Sequence, residues 1–461
     1  MTERHYGRYS LEPRDVPLVE TEHRRIQTKI PVPESVPVFE RMQRFEPTSM
    51  HCMPPLLWDH AEGDKVFDRF GNRWIDWSSC VLVANAGHAH PKIVSRVGEL
   101  VDRKQLSTYV FAHEERAELA EKLTQASPDG LDRVFLLTTG SEAVECAIKL
   151  MRTWGRRQSD TKRTIVSFSG SFHGRTLGSQ LAGGIPALKT WIGGDGAAFV
   201  QVPFPDGYLQ EDDSFEVFLE TLRNAGVEPS DVAGVISETY QGIGPDFFPT
   251  EYAQSLRSWC DEHGALLCFD EVQAGFGRTG KFFAFEHYGV TPDLISCGKG
   301  ISSSLPLAAV IGRDDVLQQY PPGSMTSTHS GSPLSCAAGI ASLEALKEDR
   351  LVERAAELEE VLNARQAKIE SSFSKHVGCV RGRGLVGGIR LVQPGTKEPD
   401  SELAYAITER CFQSGLLLFS PVGLGGGCLK IAPPLCTTES ALNEGFDVLT
   451  DAFERSLEVQ G

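Results

Sequence analysis

From about residue 115 the chain alternates short apolar runs with helical stretches, and no other feature narrows its possible folds as far. The runs are RVFLL (133–137), TIVSF (164–168), AAFVQV (197–202), VAGVIS (232–237), ALLCFD (265–270), LISC (294–297) and LAAVIG (307–312). Helical stretches such as SEAVECAIKLMRTW and YAQSLRSWCDEHG lie between them. Strand–helix repetition over this length predicts an α/β fold whose mainly parallel, seven-stranded sheet is covered by helices on both faces. Earlier, WDHAEGDKVFDRFGNRWIDW alternates apolar and polar residues around Gly63-Asp64 and Gly71-Asn72, the pattern of β-hairpins. Toward the other end, VERAAELEEVLNARQAKIESSF predicts a helix, followed by VGCVRGRGLVGGIRLV and then helix, strand and helix. These two parts are expected to form a smaller α/β domain together, from 56–100 and 346–461, beside a large domain over 101–345. Eight of the 26 prolines fall before residue 56. That density disfavours a long helix and predicts an extended arm over 1–55, lying on a partner surface.

Charge excludes some partners. Lys and Arg number 45 against 62 Asp and Glu, a net charge of −17, with no basic tract. Nucleic acid and anionic membrane surfaces are therefore not expected as main partners. The opening MTERHYGRYSLEPRD has no apolar signal core, and no apolar run reaches spanning length. Eleven cysteines are scattered without a CxxC pair. They read as reduced thiols of a cytoplasmic protein, and no metal site is expected.

In open parallel α/β sheets, ligands sit beyond the carboxyl ends of the strands, so residues that terminate strands carry the information. Run 133–137 ends in TTGSEAVECAIK. Gly140 permits close backbone approach, Ser141 adds a hydroxyl, and the first helical turn offers amides to a phosphate. An ordinary helix cap with Glu142 explains the same residues equally well. Asp270 follows five apolar residues, where burial is costly without a cationic partner. Taken alone, it reads as a helix cap or a core ion pair. Lys299, between Gly298 and Gly300, reads alone as a solvent-exposed turn lysine. Together on one sheet edge, a phosphate cradle, an acid and a lysine match the needs of pyridoxal 5′-phosphate. The lysine forms a Schiff base with the aldehyde, and the acid keeps the pyridine nitrogen protonated. Phe172 could stack on the ring or belong to the core, and Gln273 could bond the phenolic oxygen.

The segment DEVQAGFGRTGKFFAFEHYGVTPDLISCGKGISSSLPLAAVIG resembles the signature of the class III (ω-amino acid) aminotransferases, a branch of the fold type I pyridoxal-phosphate enzymes. NAGHAHP, TTGSEAVECAIK, SFHGRT, ETYQGIG, STHSGSP, VRGRGLVGGI and LKIAPPL follow in the family's order, and the likeness runs from about residue 55 onward. It implies that Lys299 carries the cofactor, Asp270 pairs with the ring nitrogen, Gly140 and Ser141 bind phosphate, and Phe172 stacks. Gln273 would touch the phenolic oxygen, and Glu238 would join a polar network near the ring. Thr328 would reach the cofactor phosphate of a neighbouring subunit, which implies a homodimer. Val81 and Tyr109 would line the substrate pocket. The family also includes racemases, a decarboxylase and phospho-lyases.

Two departures bear on substrate. The aminobutyrate and ornithine enzymes of the family carry a second glutamate where this chain has Ile243, and an arginine where it has Lys430. A planar bidentate fork is not replaced by a point charge without loss, so pyruvate or another small oxo acid is expected over oxoglutarate. Lys430 would instead contact a carboxylate or phosphate of the donor, or simply face solvent on a strand. GRGLVG (382–387) and GFGRTG (275–280) fit G-x-G-x-x-G, but neither lies between a strand and its helix, so a dinucleotide site is not expected.

Overall fold

The computed structural model describes residues 5–193 and 198–458, which form two compact units. One is drawn from both ends of the chain, up to His90 and from Glu357, and the other spans Pro91–Ala356.

The Pro91–Ala356 unit holds the predicted sheet. Its strands are β1 (Arg133–Leu137), β2 (Thr164–Phe168), β3 (Phe199–Val202), β4 (Val232–Glu238), β5 (Leu266–Asp270), β6 (Leu294–Cys297) and β7 (Ala308–Gly312). Each falls within one residue or two of its apolar run; Ala197, the first residue of AAFVQV, lies outside the described residues. The sheet order is β3-β2-β4-β5-β6-β7-β1. Pairings from β3 through to β6 are parallel, while β7 runs antiparallel to both β6 and β1. β4 through β7 are buried along their whole length, as strands covered on both faces must be. Helix α1 (Gly140–Gln158) packs Ala143, Val144, Ala147 and Met151 into the same apolar cluster as Ile165, Ile236, Leu266 and Val310. Helix α2 (Thr250–His263) ends at Gly264, whose φ of +61° is the left-handed conformation glycine adopts without strain. β1, β2, β4, β5 and β6 therefore finish at one edge, and the loops that follow them gather the residues of interest.

In the unit formed from both chain ends, the expected hairpins are the antiparallel strands His60–Glu62, Lys65–Phe67 and Arg73–Asp76. Leu416–Leu417 joins the last of them in parallel. A second sheet pairs Val377–Arg383, Val386–Leu391 and Cys428–Ile431. Two expectations are corrected here. The stretch 352–373 is not one helix but belongs to two, Leu351–Glu357 and Glu359–Ser372, the ψ of −5° at Leu358 separating them. Nor is the proline-rich segment 1–55 extended throughout, for it contains the ten-residue helix Val36–Phe45. Pro33 and Pro37 sit at the first and second positions of their helical turns, where the missing N–H breaks no bond. Val36 and Phe39 then bury against Tyr6 and Leu11. That apolar contact is what proline counting does not register.

Candidate active site

Asp270 closes β5 and is buried, at 4% exposure. Its Oδ2 accepts a 2.7 Å hydrogen bond from Nδ1 of His173, and its Oδ1 accepts one of 3.0 Å from the Val272 amide. His173 stands in the loop after β2 and is itself buried. Burial works to lower its pKa, but the hydrogen bond and charge of Asp270, with the charge of Glu238 behind them, shift it upward on balance. Buried Asp270 thus has a hydrogen-bonded histidine, shifted toward its cationic form, as the partner its position demanded.

Glu238 ends β4, the neighbour of β5, with Glu238 and Asp270 in direct register. Its Oε2 accepts from the Phe172 amide and its Oε1 from the Gly242 amide, both at 2.9 Å. Burial pushes its carboxyl up to about 7, against the pull of His173 and with the repulsion of Asp270. A methyl group on Gly242 would lie 2.8 Å from Glu238 Oε1 and 3.0 Å from both polar atoms of the Gln273 amide. Glu238 and Gln273 are therefore gathered at one point of the edge. Glu271 faces the other way: its oxygens accept from the Thr239 hydroxyl at 2.7 Å and from the Ala284 and Phe285 amides at 3.0 Å. Burial raises it, too, to about 7.

On the other side of β5, Asp270 is in register with Ser296 of β6, and Lys299 follows three residues later. It opens a single 3-10 turn, Lys299–Ile301, with a φ of +47°. Burial lowers the pKa of its ammonium, opposed by the charges of Asp270 and Glu238. A desolvated amine beside two carboxylates is not the solvated turn lysine that the residue alone suggested.

Gly140 and Ser141 begin α1, with Thr139 as cap. The Thr139 hydroxyl accepts from the Glu142 amide, and Glu142 Oε2 accepts from the amides of Thr138 and Thr139 at 3.0 and 2.9 Å. The capping reading is realised, and it leaves the anion reading intact because Glu142 takes amides from before Gly140. Space decides for glycine here: a Cβ on Gly140 would stand 2.7 Å from Val272 Cγ1, and one on Gly298 would stand 3.6 Å from the Gly140 Cα. The helix start and the lysine turn are thus in close approach. Phe172 is half-buried, with the Arg175 guanidinium 5.6 Å from its ring centre. Thr328 lies exposed in a turn.

The remaining candidates are placed as follows. Tyr109, in the Pro91–Ala356 unit, is 43% exposed and bonds its hydroxyl to Thr326 at 3.3 Å. Val81 and Lys430 belong to the other unit. Val81 is exposed, whereas Lys430, opposite Gly388 in its sheet, is 2% exposed and so is no solvent-facing strand lysine. His173 went unassigned in the sequence although SFHGRT displays it; its meaning depends on an acid 97 residues away. Among the described residues, no group of three or more His, Cys, Asp or Glu is placed to hold a metal ion, and no helix is long and apolar enough to cross a membrane.

This donor set fits pyridoxal phosphate: a recessed carboxylate backed by a buried histidine, a desolvated lysine amine beside it, and a helix start kept clear by Gly140. Comparison with known proteins agrees. Residues 47–453 match the family described as Aminotransferase class-III. A probable 4-aminobutyrate aminotransferase of Bacillus subtilis is 35% identical, covering 84% of this chain and 91% of its own length. An alanine/serine racemase of Pyrococcus horikoshii is 33% identical over 97% of this chain and 96% of its own. A transaminase from the marine bacterium Virgibacillus superposes with a TM-score of 0.82 at 27% identity, covering 91% of this chain and 96% of that one.

Proposed function

Because this chain belongs to the class III aminotransferases, which work with pyridoxal 5′-phosphate, we propose that it moves an amino group from an ω-amino acid or primary amine to a small oxo acid. Pyruvate is the favoured acceptor over oxoglutarate, and donor and acceptor react in two alternating half-reactions. The observation that carries the reading is the buried Asp270, backed by His173, with Lys299 on the neighbouring strand end.

When bound, the cofactor supplies an electron sink for the carbanion at the donor carbon. Lys299 would hold it covalently, and its free amine would serve as the base that moves the donor's α-proton. The lowered pKa of Lys299 supports that role, since a larger fraction of the amine is unprotonated at neutral pH. Asp270, held by its hydrogen bond to His173, would pair with the ring nitrogen. Gly140 and Ser141 would take the phosphate, Phe172 would cover the ring, and Gln273 would bond the phenolic oxygen. Glu238 braces Phe172 through its amide. Val81, Tyr109 and Lys430 are the proposed substrate contacts.

The catalytic assembly is a homodimer, with Thr328 serving the cofactor of the neighbouring copy. The exposed side chains Val94, Val101, Leu106, Val110 and Phe111 of the Pro91–Ala356 unit support burial by a second copy. For the acceptor preference, support comes from Lys430, a point charge that lacks the geometry for a bidentate grip on the α-carboxylate of oxoglutarate, and from Ile243, which is uncharged where the aminobutyrate and ornithine enzymes carry a glutamate.

The likeness to an alanine/serine racemase favours one second reading, inversion at the α-carbon without transfer. A panel of amine donors, each tried with pyruvate and with oxoglutarate, separates the two. Transfer predicts one oxo acid consumed per donor oxidised, faster with pyruvate. Faster turnover with oxoglutarate would overturn the acceptor assignment, and inversion with no oxo acid consumed would overturn transfer itself.

A further inference from the structure

His173 is held at one end of its ring only. Its Nδ1 donates to Asp270, but Nε2 is buried with no hydrogen-bond partner among the described residues. A buried imidazole nitrogen in that position carries its full desolvation cost and calls for a partner. His173 also lines a small pocket in the Pro91–Ala356 unit, with Ser171, Gln180 and Lys189 on the same wall. The pocket has a volume of about 10 Å³, room for one water molecule and nothing larger.

An internal water needs several polar partners, and the pocket supplies them. Gln180 is buried, and its Oε1 accepts from Trp191 Nε1 at 2.9 Å, which leaves the amide nitrogen to donate. Ser171, also buried, donates its hydroxyl to the Phe168 carbonyl at 2.7 Å, which leaves its oxygen to accept. The Lys189 ammonium is engaged by Gln201 Oε1 at 2.9 Å. Water suits the histidine better than a direct side-chain contact. An amide nitrogen only donates, which satisfies Nε2 of the neutral ring and opposes the cation. A water donates to the neutral ring and accepts from the cation, so it serves both states.

We propose that one internal water joins His173 Nε2 to the Gln180 amide and the Ser171 hydroxyl, and that Gln180 is a positioning residue for the His173–Asp270 pair. Trp191 is 60% exposed, so the line of bonds from Trp191 through Gln180, the water and His173 to Asp270 runs from the surface to the sheet edge. It fixes the imidazole plane, and with it the direction of the carboxylate. The effect on catalysis rests on the functional reading above; the water site does not.

A crystal structure tests the water directly. One ordered oxygen within hydrogen-bond distance of both His173 Nε2 and Gln180 Nε2 is expected, in apoprotein and holoenzyme alike. A map that shows other internal waters and none there would overturn the inference. The nitrogen NMR resonance of His173 Nε2 in the apoprotein tests the role of Gln180. Gln180→Leu should shift it by several ppm, and Trp191→Phe, which alters only an exposed ring, should shift it in the same direction by less. In the cofactor-loaded enzyme, Gln180→Leu should lower kcat roughly 5-fold per loaded site with donor KM unchanged, the share of one hydrogen bond. A merely structural Gln180 would lower the melting temperature and leave the resonance and kcat where they were, which would also overturn the inference. A chain that forms no borohydride-fixed adduct at Lys299 would break the functional reading instead, and leave the water and the His173 resonance untouched.

Discussion

The sheet edge around Asp270 and the turn at Ser79–Leu82 solve one problem, how to hold a side chain in an unfavourable state, by different means. At the edge the unfavourable quantity is charge. Asp270, Glu238 and Lys299 are desolvated, and His173 together with backbone amides offsets the cost. At the turn the unfavourable quantity is backbone conformation, for Ser79, Cys80, Val81 and Leu82 have φ values of 46, 53, 60 and 61°. The buried carboxylate of Asp76 bolts it in place through Ser78 and His88. Changes at the edge should therefore alter chemistry and pH response, whereas changes at the turn should alter stability.

The largest effect that would break this contrast is expected at Lys299. Lys299→Ala should lower transamination by at least about 10⁴-fold, read as single turnover with a saturating donor, since tether and base are lost together. Substantial multiple turnover by that variant would remove the edge from the chemistry. Asp270→Ala should cost roughly 10³-fold in kcat.

Glu271 sharpens the electrostatic side. Its folded-state pKa is raised to about 7 by burial, so between about pH 4.5 and 7 the folded protein binds more protons than the unfolded chain. Stability from this group is thus greatest at low pH and is lost as pH rises through that window, by on the order of 3 kcal/mol. Glu238 adds a slope of the same sign. Glu271→Gln should roughly halve the fall in urea midpoint between pH 5 and 7.5, while lowering the midpoint at pH 5 because an amide cannot accept all of its present bonds. An unchanged pH slope would show that Glu271 is ionised throughout.

Lys430 gives the smallest expected change. Lys430→Arg should improve oxoglutarate relative to pyruvate by about 10-fold in kcat/KM, by restoring the bidentate arginine grip that oxoglutarate-using relatives place on its α-carboxylate. A ratio that does not move would place the acceptor preference elsewhere.

The two regions also differ in how plainly the sequence declares them. Each sheet strand is an apolar run with a definite last residue, so Asp270 and the turn at Lys299 could be located by where hydrophobicity stops. Gly140 was visible for the same reason. His173 carried no signal alone, because a histidine after an aromatic acquires meaning only through a carboxylate brought to it by folding. The left-handed turn was hidden more completely: Ser-Ser-Cys-Val-Leu contains no glycine or asparagine, and its conformation is imposed by Asp76 and His88 from outside. The helix Val36–Phe45 escaped notice because proline breaks a helix only beyond its first turn. Lys430 could be placed on a strand, but its burial comes from neighbours far along the chain.

The central claim is that Lys299 is the covalent anchor. Purified protein loaded with pyridoxal phosphate, reduced with borohydride, digested and mapped by mass spectrometry tests it most directly. The account predicts a single phosphopyridoxyl adduct on the peptide bearing Lys299, formed in proportion to the loss of visible absorbance; an adduct on another lysine, or none at full cofactor loading, would contradict it.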